Sequence, residues 1–430
     1  MLPDLNIPKT AQKRVVIIGG GFGGMALAGK LSKRGMFQVV LLDKNNFYQF
    51  QPLYYQVATA GLEPTSIIYP FRKNFQHKKN IHIRICEVQN ISPTDNKVST
   101  SLGDVQYDYL VMATGASTNF FNMANMQKYA HGMKSIQDAT DIRNHLLMNI
   151  EEANAYTGDD IAQRNALLNI VIVGGGPTGV ELAGAIAEMK KDIFPKDYPE
   201  TDFSAMSISV LEAGPRLLAT MSANASQKAA YYLNKMGVQV RCNTVVKDYD
   251  GATITLGTGE QIGSRFLIWT AGVKANVLEG INKDVLSKRG RARVNRFNQM
   301  EGYTNIFAIG DVAEMVEEKY PNGHPQVAQP AMQQAALLAE NLEKIDAGKP
   351  AKPFTYFDKG SMATIGRNKA VVDLSFIKFS GILAWFAWMF LHLMYILGVK
   401  NRLMIFINWA WKYVTYDQSL RVIMFDKKKE

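Results

Sequence analysis

Apolar residues in this chain gather in short continuous runs, each closed by glycine, and then spread out to helical spacing. "KRVVIIGGGFGGMALAGKL", from Lys13, passes from a buried-strand pattern through a glycine loop into a helix. "LNIVIVGGGPTGVELAGAI", from Leu168, repeats that order 155 residues later. Each is followed by an apolar strand ending in an acid, "FQVVLLDKN" at Asp43 and "MSISVLEAG" at Glu212. One strand–helix–strand unit used twice is a domain duplication, not a solenoid repeat. Matching later strands are "YDYLVMATGAS", closed by Ala113-Thr114-Gly115, and "SRFLIWTAGV", closed by Thr270-Ala271-Gly272. "NIFAIGDVAE" near Asn305 adds another strand, ending at Gly310-Asp311. The polar, proline-containing run "KKDIFPKDYPETDFSAM" after Met189 reads as an insertion that delays Glu212. A helix is predicted from Pro330 through Leu342, since proline suits a first helical turn.

The pattern changes after "GKPAKPFTYFDKG", first to short β-like segments and then to an aromatic stretch ending "AWFAWMFLHLMYILGVKNRLMIFINWAW". Between Lys378 and Lys400, 21 residues carry no Lys, Arg, Asp or Glu, long enough to suggest a membrane span. Gly381 and Gly398 leave only 16 residues for the helical part, His392 sits inside it, and the next apolar run, Leu403 to Trp411, is too short to cross back. Two apolar helices joined by the basic "VKNR" turn, with tryptophans at their ends, fit a hairpin lying in the lipid headgroup region. Packing into a core or a dimer interface is the plainer alternative.

Charge sharpens that picture. Of a net +10, half lies beyond Phe376, where eight Lys or Arg (Lys427, Lys428 and Lys429 among them) stand against Asp417, Asp426 and Glu430. Trp385, Trp388, Trp409 and Trp411, four of the five tryptophans, lie there too. Tryptophan beside Lys and Arg favours an anionic lipid surface over nucleic acid. Cys86 and Cys242 are far apart in no short motif, the six histidines are dispersed, and neither a disulfide framework nor a metal site is expected. A reducing cytoplasm is the compartment expected, and no apolar stretch precedes the first strand to suggest a signal peptide.

The glycine loops carry the chemistry. Gly19, Gly21 and Gly24 follow a strand, open a helix, and have Asp43 19 residues beyond the last glycine. Glycines permit the tight turn and a close approach of backbone to pyrophosphate, the helix N-terminus takes the negative charge, and the carboxylate accepts ribose hydroxyls. Gly174, Gly176 and Gly179 with Glu212 repeat the set. A lone copy often marks only a tight turn; two complete copies imply two bound dinucleotides. The fold class expected is α/β, with two Rossmann-like dinucleotide-binding domains and a C-terminal amphipathic, membrane-associated helical region. The first domain would be discontinuous, 10–120 and 280–345, the second 121–279, and the C-terminal region 346–430. At Glu212 a carboxylate pairs with a free 2′-hydroxyl and repels a 2′-phosphate, which favours NADH. Arg216 is the residue type an NADPH site would use, but "GPRLL" reads as the start of the next helix.

These motifs, over roughly Lys13 to Lys344, resemble the two-dinucleotide-domain flavoproteins that include the pyridine-nucleotide-disulfide reductases. The resemblance implies an FAD set of Gly19, Gly21, Phe22, Gly23, Gly24, Asp43, Lys44, Val88, Ala113, Thr114, Gly115, Gly310, Asp311, Ala328 and Gln329. It implies a nicotinamide set of Gly174, Gly176, Pro177, Thr178, Gly179, Glu212 and Gly272. The cysteine pair of the thiol branches is missing from "QVATAGLE", Gln56 to Glu63, which leaves a quinone, oxygen or a protein as acceptor. Ala328-Gln329, Ala331 and Gln333 match the AQxAxQ motif of type II NADH dehydrogenases, and "FQFQPLYYQVATAGLEP", "GILAWFAWMFLHL", "NRL" and "WAW" resemble the same family. From spacing alone, Gln329 and Gln333 are glutamines in the first turns of a helix; the resemblance places them beside flavin and quinone. It likewise implies that Glu181 is linked to quinone-site protonation, where the residue alone reads as an acid at a helix N-terminus. Lys378 would reach toward flavin and quinone, the plainer reading being a membrane-facing anchor.

The resemblance therefore implies a type II NADH:quinone oxidoreductase with tightly bound FAD, NADH as donor and a membrane quinone as acceptor, without ion pumping. It would be a peripheral homodimer on the cytoplasmic face of a bacterial inner membrane, with no nucleic-acid partner. A soluble NADH oxidase or ferredoxin-type reductase of the same fold is the alternative. A nucleic-acid-binding flavoprotein like the apoptosis-inducing factors would need its positive charge on a polar face, and here the charge collects beside Trp and Leu.

Overall fold

The computed structural model describes residues 5–156, 160–418 and 420–423. Lys427, Lys428 and Lys429 of the basic tail, with Asp426 and Glu430, lie outside the described residues. The chain divides into two compact units. Unit 1 comprises Met1–Tyr48, Tyr69–Ser117 and Val273–Asp358; unit 2 comprises Gln49–Ile68, Thr118–Gly272 and Lys359–Glu430.

Unit 1 is built on a five-stranded parallel sheet ordered Ile306–Ala308, Tyr109–Met112, Arg14–Ile18, Gln38–Asp43, Ile81–Ile85. Its central strands are apolar on both faces, Val16 lying opposite Val40 on one side and Leu110 on the other. Parallel strands are covered on both faces, and for that reason they read as continuous apolar runs in the sequence. The strands end together at Ile18, Asp43, Met112 and Ala308, which gathers the first glycine loop, the ATG turn and the Gly310-Asp311 turn along one sheet edge. Helix Phe22–Arg34 packs along helix Ala328–Asp346. The second of these starts two residues before the predicted Pro330. An antiparallel sheet, Val88–Ser92, Lys97–Thr100 and Gly103–Gln106, carries Val88 at its start, half-buried against the core.

Unit 2 repeats the design with His131–Gly132, Phe266–Trp269, Asn169–Val173, Ser207–Leu211 and Val238–Arg241, all parallel. Residues 190–206, which read as a polar insertion, are anchored by apolar groups: fully buried Phe194 stacks on Phe203 at 5.6 Å. "GPRLL" does not begin a helix; the next helix starts at Ala223, and Arg216 turns back to donate to the Met221 and Ala219 carbonyls. An antiparallel sheet, Ser361–Gly366, Lys369–Asp373 and Lys378–Ser380, lies against helix Pro177–Asp192. The contact is close enough that a Cβ on Gly184 would sit 1.7 Å from the Ile365 carbonyl oxygen.

Two helices follow, Ile382–Tyr395 and Val399–Thr415. The basic residues Lys400 and Arg402 belong to the start of the second helix; the turn between the helices is Ile396 to Gly398. Among the described residues no helix is long and apolar enough to cross a membrane. The inner side of the pair buries Ala384, Trp388, Ile405 and Trp409, so two of the four tryptophans are core and not rim. The outer side exposes Leu383 (72 %), Phe390, Leu403, Phe406, Trp411 and Val414 (77 %).

Candidate active site

The two glycine loops are built alike. In each, the first glycine turns through a positive φ, +100° at Gly19 and +110° at Gly174, and lies against the neighbouring strand end. A Cβ there would stand 2.4 Å from the Ala113 oxygen or 2.8 Å from the Thr270 carbon, so only glycine fits. Gly24 and Gly179 pack equally tightly on their own loops: a Cβ there would stand 1.8 and 2.0 Å from the Gly19 and Gly174 oxygens. The middle glycines differ: a Cβ on Gly21 or Gly176 would meet nothing within 4 Å. These residues are also the N-caps of their helices, and neither has a side-chain cap. Open space over uncapped helix N-termini is what a bound pyrophosphate fills, so both loops fit a dinucleotide. Phe22 leads the first of these helices, its ring edge-on to Tyr48 at 5.6 Å, with Gly23 buried behind it. Pro177 and Thr178 open the second.

Each strand-end acid is locked by backbone. Asp43 accepts the Gly20 amide at 2.6 Å and the Asn45 amide at 2.7 Å. Glu212 accepts the Gly175 amide at 2.6 Å and the Gly214 amide at 2.7 Å. Burial raises the Asp43 carboxyl above its usual range, opposed by the amides of Asn45 and Gly20. Each carboxylate oxygen keeps acceptor capacity for a ribose hydroxyl. Lys44, beside Asp43, is exposed. The second loop opens into a cavity of about 500 Å³, lined by Gly174, Gly176, Glu212, Thr244, Trp269 and Thr270 among others. Gly272 closes the adjoining turn, its carbonyl accepting the Asn119 amide at 3.1 Å.

In unit 1 the ATG turn is clasped by Asn276. Thr114 Oγ1 donates to the Asn276 carbonyl at 2.6 Å, Asn276 Nδ2 donates to the Thr114 carbonyl, and the Asn276 amide donates to Gly115. Asp311 is held by its carbonyl, which accepts from Gln326 Nε2 at 3.0 Å. Ala328 begins the helix, with half-buried Gln329 beside it. The Gln333 amide is taken up by backbone, donating to the Phe357 carbonyl at 2.9 Å and accepting the Phe357 amide at 3.1 Å.

The protonatable site of unit 2 surrounds Glu181. This residue is 8 % exposed on the second turn of its helix, so it is a buried acid and not an exposed dipole cap. Its Oε1 accepts the Thr364 amide at 3.3 Å, and burial pushes its pKa up to about 8, with the Thr364 amide opposing. The indole N–H of Trp388, buried without a hydrogen-bond partner of normal length, faces the same carboxyl and offsets a little more. Trp388 stacks on His392 at 4.0 Å, and burial lowers the His392 pKa to about 4. A cavity of about 70 Å³ beside Glu181 is lined by Tyr55, Glu188, Thr364, Arg367, Trp388 and Lys412, among others. Glu188, two helical turns beyond Glu181, accepts the Arg367 amide and pairs with Lys412 at 3.5 Å. Lys378 is not among the lining residues; it is exposed and pairs with Asp373 at 3.0 Å.

Residues 13–335 match the family model described as pyridine nucleotide-disulphide oxidoreductase, and residues 359–415 match the NDH2 C-terminal domain. The chain is 36% identical to a type II NADH:quinone oxidoreductase of Mycobacterium tuberculosis, over 94% of this chain and 88% of the relative. The chain belongs to the type II NADH:quinone oxidoreductases. A second relative, from Haemophilus influenzae, is 30% identical over 84% of this chain and 87% of its own. The fold matches an NDH2 of Plasmodium falciparum solved with NADH, TM-score 0.86 at 22% identity, over 96% of this chain and all of that one. A sulfide:quinone oxidoreductase from Aquifex aeolicus shares the fold more loosely, TM-score 0.72 at 19% identity. Cys86 and Cys242 are both free, one in each unit. Thr364, Trp388 and Glu188 line the cavity beside Glu181 and were not singled out as site residues by the motifs. Glu188 was within reach, since a spacing of seven from Glu181 puts both on one helix face.

Proposed function

We propose that the protein is a non-pumping NADH:quinone oxidoreductase carrying FAD, acting at a membrane surface. FAD, when bound, accepts hydride from NADH and passes two electrons to quinone. The chain's own residues bind, orient and protonate. In unit 1, open Gly21 and the uncapped helix behind it take the FAD pyrophosphate, Asp43 the ribose, and the turns of Thr114-Gly115 and Gly310-Asp311 the remainder of that cofactor. In unit 2, Gly176 and Glu212 hold NADH over the 500 Å³ cavity, and the carboxylate of Glu212 disfavours a 2′-phosphate.

The observation that carries the acceptor side is the Glu181 carboxyl. It is buried, pushed up to about 8, and walled by Trp388 of a helix whose outer side is exposed and apolar. A carboxylic acid kept neutral at pH 7 is a proton donor for a quinone oxygen that gains charge on reduction. Leu383, Phe390, Leu403 and Phe406 would enter the interfacial layer of the membrane, with Lys400 and Arg402 at anionic headgroups. The family resemblance supports assigning Gln329 and Gln333 to the cofactor site of unit 1. Lys378, exposed and salt-bridged, fits the membrane-facing anchor better than a residue at the acceptor. The family resemblance supports a peripheral homodimer on the cytoplasmic face of a bacterial membrane, which light scattering in detergent and protease access to oriented vesicles would check.

The deciding experiment is anaerobic. The yellow holoprotein is mixed with NADH, then with a short-chain quinone, and flavin absorbance is followed. Bleaching by NADH and recovery on quinone support the reading. Bleaching that recovers only on oxygen or a protein acceptor rejects the quinone assignment.

A further inference from the structure

Behind the Gly310-Asp311 turn a line of buried side chains runs away from the proposed flavin edge of unit 1. Gln334, 1 % exposed, accepts the Gly310 amide on Oε1 at 2.7 Å and presents Nε2 to Nδ1 of His324 at 3.5 Å. His324, 2 % exposed, faces Glu317 Oε2 with Nε2 at 3.3 Å. Arg296 lies 3.5 Å from the other Glu317 oxygen. Each link fixes the next. The Gly310 amide is only a donor, so Gln334 must give it the oxygen, and the NH2 group then faces His324. Nδ1 must therefore be bare, and the imidazole proton sits on Nε2, donated to Glu317.

A second proton on Nδ1 would set two donors face to face. Gln334 could answer only by flipping, which would turn its NH2 toward the Gly310 amide and break that bond. The turn has little slack: Gly310 holds φ +73°, and a Cβ there would stand 3.0 Å from that of Ala331. The groups facing the imidazole come from several segments. Glu317 pairs with it, Arg291 donates to the His324 carbonyl, and the rings of Tyr320, Phe354 and Tyr356 enclose it. Asp311 and Glu314 act on Arg291, and Asp358 acts on Tyr356. Burial pulls the imidazole below its usual range, Glu317 pulls it back up, and Arg291 lowers it again.

We propose that Gln334, His324 and Glu317 are positioning residues of the cofactor site: neutral His324 holds Gln334 on the Gly310 amide, and its protonation frees the Gly310-Asp311 turn and loosens bound FAD. The inference rests on the reading of that turn as FAD-binding. It implies a holoenzyme that sheds flavin on acidification while still folded.

The test follows FAD release from holoenzyme by flavin fluorescence, with far-UV circular dichroism recorded alongside, between about pH 7.5 and about pH 5. Release from the wild type should quicken by about tenfold across that range, with the dichroism unchanged. His324→Gln keeps an acceptor for Gln334 and a donor for Glu317 but cannot titrate, so it should retain FAD at the upper pH and lose the acid-dependent release. Glu317→Gln removes the charge that favours the imidazolium and should move the release to lower pH. A His324→Gln protein that follows the wild type, a flat wild-type profile, or release that tracks lost dichroism would each overturn the latch. A protein that never retains FAD would overturn the flavin reading itself, and the latch with it.

Discussion

Gln333 grips the backbone of Phe357 with both ends of its amide, at 2.9 and 3.1 Å, in the second turn of the helix that starts at Ala328. The family resemblance puts this glutamine at the quinone, and the structure shows the same group holding a neighbouring segment in place. Gln333→Ala should raise KM for quinone several-fold through displacement of that segment, and leave NADH:ferricyanide turnover near wild type. The same substitution should lower stability by about 1–2 kcal/mol, because two backbone groups lose their partner. Full quinone turnover at unchanged KM would remove Gln333 from the acceptor site.

Glu181 makes two pH predictions. Its folded pKa, about 8, lies above the ordinary carboxyl value of 4.5, so the folded chain holds a proton that the unfolded chain releases. The associated stability is fully present below about pH 4.5 and is lost as pH rises to about 8. Glu181→Gln should remove that slope from denaturant titrations across the window. In catalysis, quinone reduction by the wild type should decline as pH rises through about 8, whereas the glutamine variant should be slow and lack that limb. An unchanged pH profile in the variant would rule Glu181 out as the donor.

Gly184 offers a test of how Glu181 is seated. A methyl group there meets the Ile365 carbonyl oxygen at 1.7 Å, next to the Thr364 amide that Glu181 accepts. Gly184→Ala should cost about 3 kcal/mol or more, since the obstacle is backbone and cannot rotate away. The NADH cavity involves other residues of the unit, so variant protein that stays folded at low temperature should still bind NADH. A melting temperature equal to wild type would mean that the helix and strand are not packed as described.

Membrane attachment is predicted to follow the outer sides of the last two helices. Leu383→Asp together with Phe406→Asp should lower partition onto anionic vesicles by at least about tenfold, through loss of buried apolar area. NADH:ferricyanide activity in solution should persist. Raised salt should weaken binding of the wild type as well, because Lys400 and Arg402 act through headgroup charge. Vesicle binding unaffected by both aspartates would send the search to another surface, such as the exposed Phe376 (84 %) at the hairpin between Leu374 and Lys378.

Both glycine loops and their acids could be read in the sequence because pyrophosphate and ribose impose spacing on one continuous stretch of chain. What escaped depends on distance or on helical phase. Thr364 is 183 residues from Glu181, and nothing in "SMATIG" marks the amide that meets it. Gln333 and Gln334 are neighbours in "AMQQ", and a motif match selected the first; the second turns inward and meets Gly310. The aromatic helices looked alike from end to end in composition, so the inward turn of Trp388 and Trp409 could not be told from the outward turn of Trp411. The helix expected at "GPRLL" failed because Arg216 satisfies the loop's own carbonyls in place of a helical turn.

The strand order of unit 1 bears on how the protein is made. Ile306–Ala308 pairs with Tyr109–Met112, yet most of the intervening chain, Thr118–Gly272, belongs to unit 2. During synthesis the apolar edge "YLVM" therefore emerges long before its partner and stays open while the whole of that segment is translated. Gly310 and Asp311 come later still, so a nascent chain has no complete pocket for the prosthetic group to rescue it. Yield in the cell should be set less by flavin supply than by whatever shields that edge until Ala308 leaves the ribosome.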